Sequence, residues 1–415
     1  MAGSKQAREE DLARLVDDLW LGPESDSPVL VSSTPPPDSH ALVESYAVVT
    51  GPTGPRYLVP SGAARAVAAA SYRVPRSGRH DGAVRLTVAT GIVAASRLSR
   101  RRLFVSISRD VPRARRSDHL VLSGLADQLA EPGLLALVSV RRLRPTSKPV
   151  LRLFSRKGRS VGFAKVAASP VTRHVVSNEA MVLRELRGRL RHVRVPDVLA
   201  FGDLGQKGYL VTSPLPSPLR RWAGPPPDMH RLVLDVASSN EGLRQEPLRD
   251  SAFRARITGE LHRARVAAPQ LVALLARRLD DLCARSEAPL WFGRWHGDWT
   301  RWNVVSAAGQ PAAWDWEYSE PSAPLGFDLL HWHFQDCLSK PGADLAEAVR
   351  ALSIATPGLA TLGVPTCQRD LVAELFLVET FTRACRLNAA GGGWNPRLYP
   401  AALQVAARWG GDQGA

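Results

Sequence analysis

Asp298 and Asn303 lie five residues apart in His296-Gly297-Asp298-Trp299-Thr300-Arg301-Trp302-Asn303. Asp315 follows in Trp314-Asp315-Trp316-Glu317, and Asp328 comes after it. Carboxylates and an amide in this order suit one kind of chemistry. Phosphoryl transfer from a nucleotide needs a carboxylate that orients an acceptor hydroxyl and receives its proton, and hard oxygen ligands for Mg2+ on the phosphates. In kinase-type sites an Asp and an Asn on one loop supply part of this, and a further Asp arrives from the next hairpin.

These residues can meet only if the chain turns back on itself. Val304-Val305 and Ala312-Ala313-Trp314 flank Gly309, a pattern that predicts strand, turn and strand. The hairpin would return Asp315 to the loop that holds Asp298. Upstream, Leu134–Arg142, Pro149–Phe154 and Val161–Val166 are short apolar segments, the last two separated by a turn at Arg156-Lys157-Gly158-Arg159. Residues 175–190 predict a helix with Val175, Met181, Val182 and Leu186 on its apolar side, and strands follow near 195–202 and 208–212. After a run of prolines, residues 228–290 and 340–410 read as mainly helical.

HGDxxxxN followed by a D-W-E segment and a later Asp resembles the aminoglycoside phosphotransferase/choline kinase-like family, over about residues 134–400. The resemblance implies an α+β, two-lobed protein-kinase-like fold: a small β-rich lobe with one helix and a larger helical lobe. It implies ATP and Mg2+ as cofactors and a hydroxyl of a small molecule as acceptor. It makes Asp298 the catalytic base and Asn303 and Asp315 the metal ligands. Asp328 braces the catalytic loop, and His296 is expected to support that loop through its backbone.

A kinase-like small lobe also needs a strand Lys for the α- and β-phosphates and a helix Glu to hold that Lys. Lys165 stands in the third of the apolar segments, and Glu179 follows fourteen residues later on the helix. The segment 208–216 fits the hinge whose backbone meets the adenine. Pro214 and Pro216 have no N–H, so Ser213 and Leu215 are the candidate donors, with Leu215 the better of the two. No Gly-rich loop separates the first two strands; Arg144-Pro145-Thr146-Ser147-Lys148 stands there instead. Trp299 and Trp316 adjoin Asp298 and Asp315, where they would either crowd the acceptor pocket or pack beneath it.

Residues 1–118 fall outside the resemblance and read as a small α+β module. It has an amphipathic helix near 7–20, a hairpin about Gly51-Pro52-Thr53-Gly54, an Ala-rich helix near 62–72 and a strand at 103–108. The domains expected are therefore 1–118, 119–216 with the hinge, and 217–415. With 45% hydrophobic and 22% charged residues in 415, the chain has the composition of a globular protein, not a disordered one. The net charge of +15 divides into −6 over residues 1–50, +21 over 51–200 and zero beyond.

The Arg clusters at 97–102 and 113–116 carry no interleaved aromatics and no zinc-finger or helix-turn-helix spacing, which argues against nucleic acid as a partner. Rossmann and P-loop motifs are absent. Four scattered cysteines without a CxxC pair read as reduced core thiols. With no leader and no long apolar run, a cytoplasmic protein without membrane contact is expected. Oligomeric state and the identity of the acceptor stay open: amino sugar, sugar, amino alcohol or natural product. The rival reading is a catalytically inactive kinase-like binding module whose basic N-terminal half docks an acidic partner.

Overall fold

The computed structural model describes residues 2–21, 27–63, 94, 96–141 and 146–408. The chain divides into two compact units. One comprises residues 1–180 and 196–220, the other 181–195 and 221–415.

Unit 1 is built on a nine-stranded sheet. Its strands are β1 (Val29–Ser32), β2 (His40–Gly51), β3 (Gly54–Pro60), β4 (Arg102–Ser108), β5 (Leu135–Ser139), β6 (Val150–Phe154), β7 (Ser160–Ala167), β8 (Val198–Leu204) and β9 (Lys207–Thr212). They lie in the order β1-β4-β2-β3-β5-β6-β7-β9-β8, and each neighbouring pair is antiparallel. The expected hairpins about Gly51–Gly54 and residues 156–159 are both present. Helix α1 (Ala2–Val16) and the turn after it bury Leu12, Leu15, Leu19 and Trp20 against Tyr46, Val48, Leu58 and Val105. That is the helical periodicity of residues 7–20 at work.

The boundary expected at residue 118 falls inside this unit. β3 pairs with β5 across it, and one core cluster draws from both sides, joining Ile107 to Leu125, Val138 and Val211. Helix α2 (Val121–Gln128) covers part of the same core. The Ala-rich segment near 62–72 and the stretch Arg144-Pro145 lie largely outside the described residues.

Helix α3 (Pro170–Leu186) begins five residues earlier than the sequence suggests. Val175, Val182 and Leu186 are buried as expected, but Met181 is 52% exposed. Val176, Ala180 and Leu183 complete the buried face in its place. The inward stripe thus takes both neighbours of Met181, and only the solvent side remains for its long side chain.

In the second unit come β10 (Leu219–Arg221, at the boundary), β11 (Arg244–Glu246), β12 (Leu290–Trp295), β13 (Val304–Ala307), β14 (Gln310–Ala313) and β15 (Glu320–Pro324). The helices here are α4 (Met229–Ala237), α5 (Ala252–Ala264), α6 (Pro269–Arg285), α7 (Phe327–Leu338), α8 (Leu345–Ala355), α9 (Thr366–Leu387) and α10 (Ala401–Arg408). The whole is an α+β protein, the class expected from the sequence. Among the described residues no helix is long and apolar enough to cross a membrane. All four cysteines are free, but only Cys283 and Cys385 are buried; Cys337 is half-buried and Cys367 exposed, so the core reading holds for two.

Candidate active site

β12 and β15 pair antiparallel, with Trp295 opposite Glu320, and so bring the two ends of the segment 296–319 together. Between them β13 and β14 form a hairpin in which Val304 faces Ala313 and Ala307 faces Gln310. Its two-residue turn, Ala308-Gly309, has positive φ at both positions (47° and 86°), the geometry that matches the twist of the flanking strands. At the open end Asn303 precedes β13 and Trp314 follows β14. The Trp314 N–H donates to the Asn303 carbonyl (3.2 Å), so Asp315 emerges beside Asn303. Asp315 takes a left-handed conformation (φ 64°, ψ 53°), uncommon for a residue with a side chain and found where Asp or Asn turn sharply.

His296 ties the two arms together. Its Nδ1 accepts the Asp298 N–H (3.1 Å), and its Nε2 donates to the Trp314 carbonyl (3.0 Å). Both nitrogens are thus satisfied by a neutral imidazole. Burial pushes its pKa down to about 4, against the pull of Asp298. His296 thereby ties the Asp298 and Trp314 backbones to each other. Asp328, in the first turn of α7, takes the other side of the same backbone: its carboxylate accepts the N–H groups of His296 (2.8 Å) and Gly297 (3.3 Å). Its pKa is pushed up to about 7 by burial, which those two donors only partly offset.

Gly297 is irreplaceable on two counts. Its φ is +84°, and a Cβ there would stand 2.1 Å from the carbonyl oxygen of Tyr318. Arg383 of α9 fastens the same residue, donating Nη1–H to the Gly297 carbonyl (2.5 Å). The guanidinium lies 4.8 Å from the Trp295 ring and 5.1 Å from that of Tyr318, and 3.6 Å from Glu379.

The Asp298 carboxylate is held at both oxygens. Oδ2 accepts from Asn303 Nδ2 (2.7 Å), and Oδ1 accepts from His331 Nε2 (3.1 Å). The side chain remains 29% exposed. Burial works to raise its pKa, but the hydrogen bond from His331 and the positive charge of Arg383 work against it, and the carboxyl sits below its ordinary value. His331 is itself kept neutral by burial, and its Nδ1 is enclosed with no partner. An enclosed Nδ1 without an acceptor disfavours a proton there, which fixes the tautomer that donates from Nε2.

Neither His331 nor Arg383 was singled out from the sequence. His331 stands one helical turn after Asp328, so the i, i+3 spacing on α7 carried a signal. Arg383 carried none, being one of many arginines.

Lys165 and Glu179 form a buried pair in unit 1. The alternation of β7 sends Ala164 and Val166 into the main core and Lys165 and Ala167 to the opposite face. There Val176 and Ala180 of α3 pack on Ala167 and Leu210, which seats Glu179 over Lys165. The Lys165 Nζ donates to both carboxylate oxygens, at 2.6 and 2.5 Å.

Ser213 is withdrawn as an adenine donor. Its N–H donates to the Asp197 carbonyl (2.8 Å), and its hydroxyl accepts the Asp197 N–H (2.9 Å). The pairing of β8 with β9 continues past the strand ends and uses up that amide. Leu215 remains as the candidate of the pair. Trp299 and Trp316 are fully buried, so they pack beneath the site and do not crowd an acceptor pocket.

The donor set suits a hard cation. An Asn303 amide whose Nδ2 faces Asp298 has its Oδ1 to offer, and Asp315 adds a carboxylate. Among the described residues no group of three His, Cys, Asp or Glu could hold a metal ion by itself.

No protein-family model and no curated protein matches the sequence. Solved structures with a likeness to the chain include a Haemophilus somnus protein assigned as a fructosamine-3-kinase, with 10% identity and a TM-score of 0.45 over 69% of this chain and 96% of that one. A glucosamine kinase matches with 16% identity and a TM-score of 0.35, over 75% and 88%. An amicoumacin kinase in complex with AMP-PNP, Ca2+ and Ami matches with 16% identity and a TM-score of 0.40, over 67% and 87%. Likeness this distant assigns the chain to no family and names no substrate for it, so the function rests on the arrangement of its own side chains.

Proposed function

We propose that this protein is a small-molecule kinase of the protein-kinase-like class, transferring the γ-phosphoryl group of ATP to an acceptor hydroxyl with Mg2+. The observation that carries the reading is the Asp298 carboxylate, ionised, partly open to solvent and fixed at both oxygens by Asn303 and His331. A carboxylate so held can accept a hydrogen bond from an incoming hydroxyl on its remaining lone pairs and take up the proton as transfer proceeds. Its lowered pKa keeps it ionised at neutral pH.

Asn303 Oδ1 and the Asp315 carboxylate would hold Mg2+, which when bound neutralises charge on the phosphates. Lys165, held by Glu179, would contribute its ammonium to the α- and β-phosphates, and the Leu215 N–H would meet the adenine. His296, Asp328 and Arg383 fix the backbone about Asp298, so that the carboxylate needs no reorganisation when the acceptor arrives. Trp299 and Trp316 are buried, so neither stands in the way of an acceptor as an inactive binding module would have it.

The test is a panel of hydroxyl-bearing metabolites with γ-labelled ATP and Mg2+, run on wild type and Asp298→Asn. Label should reach an acceptor only with the wild type, while both proteins bind ATP and Mg2+ with a matching rise in melting temperature. Equal turnover in the two proteins would overturn the proposal.

A further inference from the structure

Helices α5 and α9 pack on each other in unit 2 with charged residues between them. Each brings an oppositely charged pair four residues apart, and so on one face: Arg256 and Glu260 on α5, Glu379 and Arg383 on α9. The two pairs are joined across the helix contact. Arg256 donates from Nη2 to Glu379 Oε2 (2.5 Å) and from Nη1 to Glu260 Oε1 (3.2 Å), and its Nε lies 3.8 Å from Glu320 of β15.

The Glu379 carboxylate is shared between two arginines, one oxygen for each. Oε2 takes Arg256, and Oε1 lies 3.6 Å from Arg383 Nη2. The other terminal nitrogen of that same guanidinium, Nη1, donates to the Gly297 carbonyl. An unbroken line of contacts therefore runs from Arg256 through Glu379 and Arg383 to the residue before Asp298. Glu379 is 2% exposed, and burial alone would raise its pKa. The charges of Arg256 and Arg383 and the hydrogen bond from Arg256 hold it below the ordinary carboxylate value instead, so it stays ionised in the interior.

Loss of Glu379 would fall unequally on its two partners. Arg256 would keep Glu260 and Glu320. Arg383 would keep no acid, since among the described residues Glu379 alone is in ion-pair contact with it. A guanidinium held at one terminal nitrogen can pivot about that contact, whereas one held at both has its plane fixed. We propose that Glu379 is a positioning residue for phosphoryl transfer: it fixes the Arg383 guanidinium on the Gly297 carbonyl and through it aims the Asp298 carboxylate. The catalytic half of this inference rests on the role given to Asp298; the hold of Glu379 on the loop can be read without turnover.

Glu260 supplies the control. It is buried to a similar degree, at 5% exposure, and belongs to the same network, but it contacts Arg256 and Arg386 and not Arg383. Hydrogen–deuterium exchange of the full chain over residues 295–300 compares wild type, Glu379→Gln and Glu260→Gln. The amides of His296, Gly297 and Asp298 are protected there by Asp328 and by the His296 ring. Glu379→Gln should speed exchange in this segment by about tenfold or more, and Glu260→Gln should leave it within about twofold of wild type. In an Arg383→Met background, Glu379→Gln should add no further change, because its effect passes through that guanidinium.

Kinetics with the acceptor found in the panel read the catalytic half. Glu379→Gln should lower kcat by about ten- to hundredfold with the KM for ATP within about twofold, while Glu260→Gln keeps kcat. Should Glu379→Gln fail to fold, Glu379→Asp, which keeps the charge but draws it back by one methylene, should show the same changes in smaller size. Unchanged exchange over 295–300 overturns the proposal, as does an equal change in Glu260→Gln, an additive effect on Arg383→Met, or an undiminished kcat. A wild type that transfers phosphate to no acceptor while the exchange pattern holds would overturn the role of Asp298 and not the hold of Glu379 on its loop.

Discussion

The Lys165–Glu179 pair and the Asp298 cluster both hold a charged side chain in place, and they do it by opposite means. Lys165 meets a single counter-charge at two oxygens and is almost closed off, with side-chain exposures of 9% and 2%. Asp298 is gripped by a neutral imidazole and a neutral amide and stays 29% exposed. A cation meant only to supply field can be buried with its partner. A carboxylate meant to take up a proton has to be oriented without being neutralised, and it needs an open side. Neutral donors achieve this, since they fix the rotamer and leave the charge uncompensated.

The contrast is broken most severely at Asp298 itself. Asp298→Asn should cut turnover by about 10²–10⁴-fold, the usual contribution of a positioned base, with little change in nucleotide affinity. Steady-state kinetics with the acceptor found in the panel checks this. Lys165→Met should act on stability as well, costing about 3–5 kcal/mol because Glu179 is left buried and unpaired. A double variant, Lys165→Met with Glu179→Leu, should recover most of that loss in a denaturant melt and none of the activity. Recovery of both would mean that the pair serves the fold alone.

His331 sharpens the comparison. His331→Leu removes a donor to a charged acceptor and should lower kcat by roughly tenfold. It should also move the acid limb of the pH–rate profile to higher pH, because the Asp298 carboxyl then loses one of the groups that keep it low. His331→Gln, which can present an N–H in a similar place, should restore part of both. A merely structural role would leave the limb where it is.

His296 bears on the pH dependence of stability and not on turnover. Its folded pKa, about 4, lies below the unfolded value, so the unfolded chain binds more protons and stability falls as pH drops through 6.5 toward 4. Asp328 has the opposite sign. Its folded pKa of about 7 is raised, so its contribution grows as pH falls from 7 toward 4. In the wild type the two largely offset each other. A folded His296→Gln variant should show the difference, being relatively stabilised by acid with a slope of up to about 1.4 kcal/mol per pH unit. Urea melts of both proteins across that range would reveal it, and parallel curves would contradict it.

What the sequence made legible follows physical locality. Residues 298 to 315 form one loop and one hairpin, so spacing alone placed Asn303 and Asp315 together. Lys165 and Glu179 were readable because a strand, a short loop and a helix admit few arrangements. Ser213 was misjudged because its amide is consumed by Asp197 from another strand, which composition cannot show. Met181 failed for a subtler reason: a 3.6-residue period leaves the edge of an apolar stripe undecided by one position. Arg383 was out of reach, because its task depends on α9 lying against the loop and on two aromatic rings that frame it.

The contact between Gly297 and Tyr318 has a mechanical consequence. The hydrogen atom of Gly297 occupies the only space left before the Tyr318 carbonyl, so the two backbones bear on each other like a tooth and its stop. Rotation of the loop in that direction is blocked, and any shift of Tyr318 toward the loop is transmitted to the neighbouring Asp298. Substitutions that shift the Tyr318 backbone would therefore also redirect the Asp298 carboxylate, and the two positions would have to evolve together.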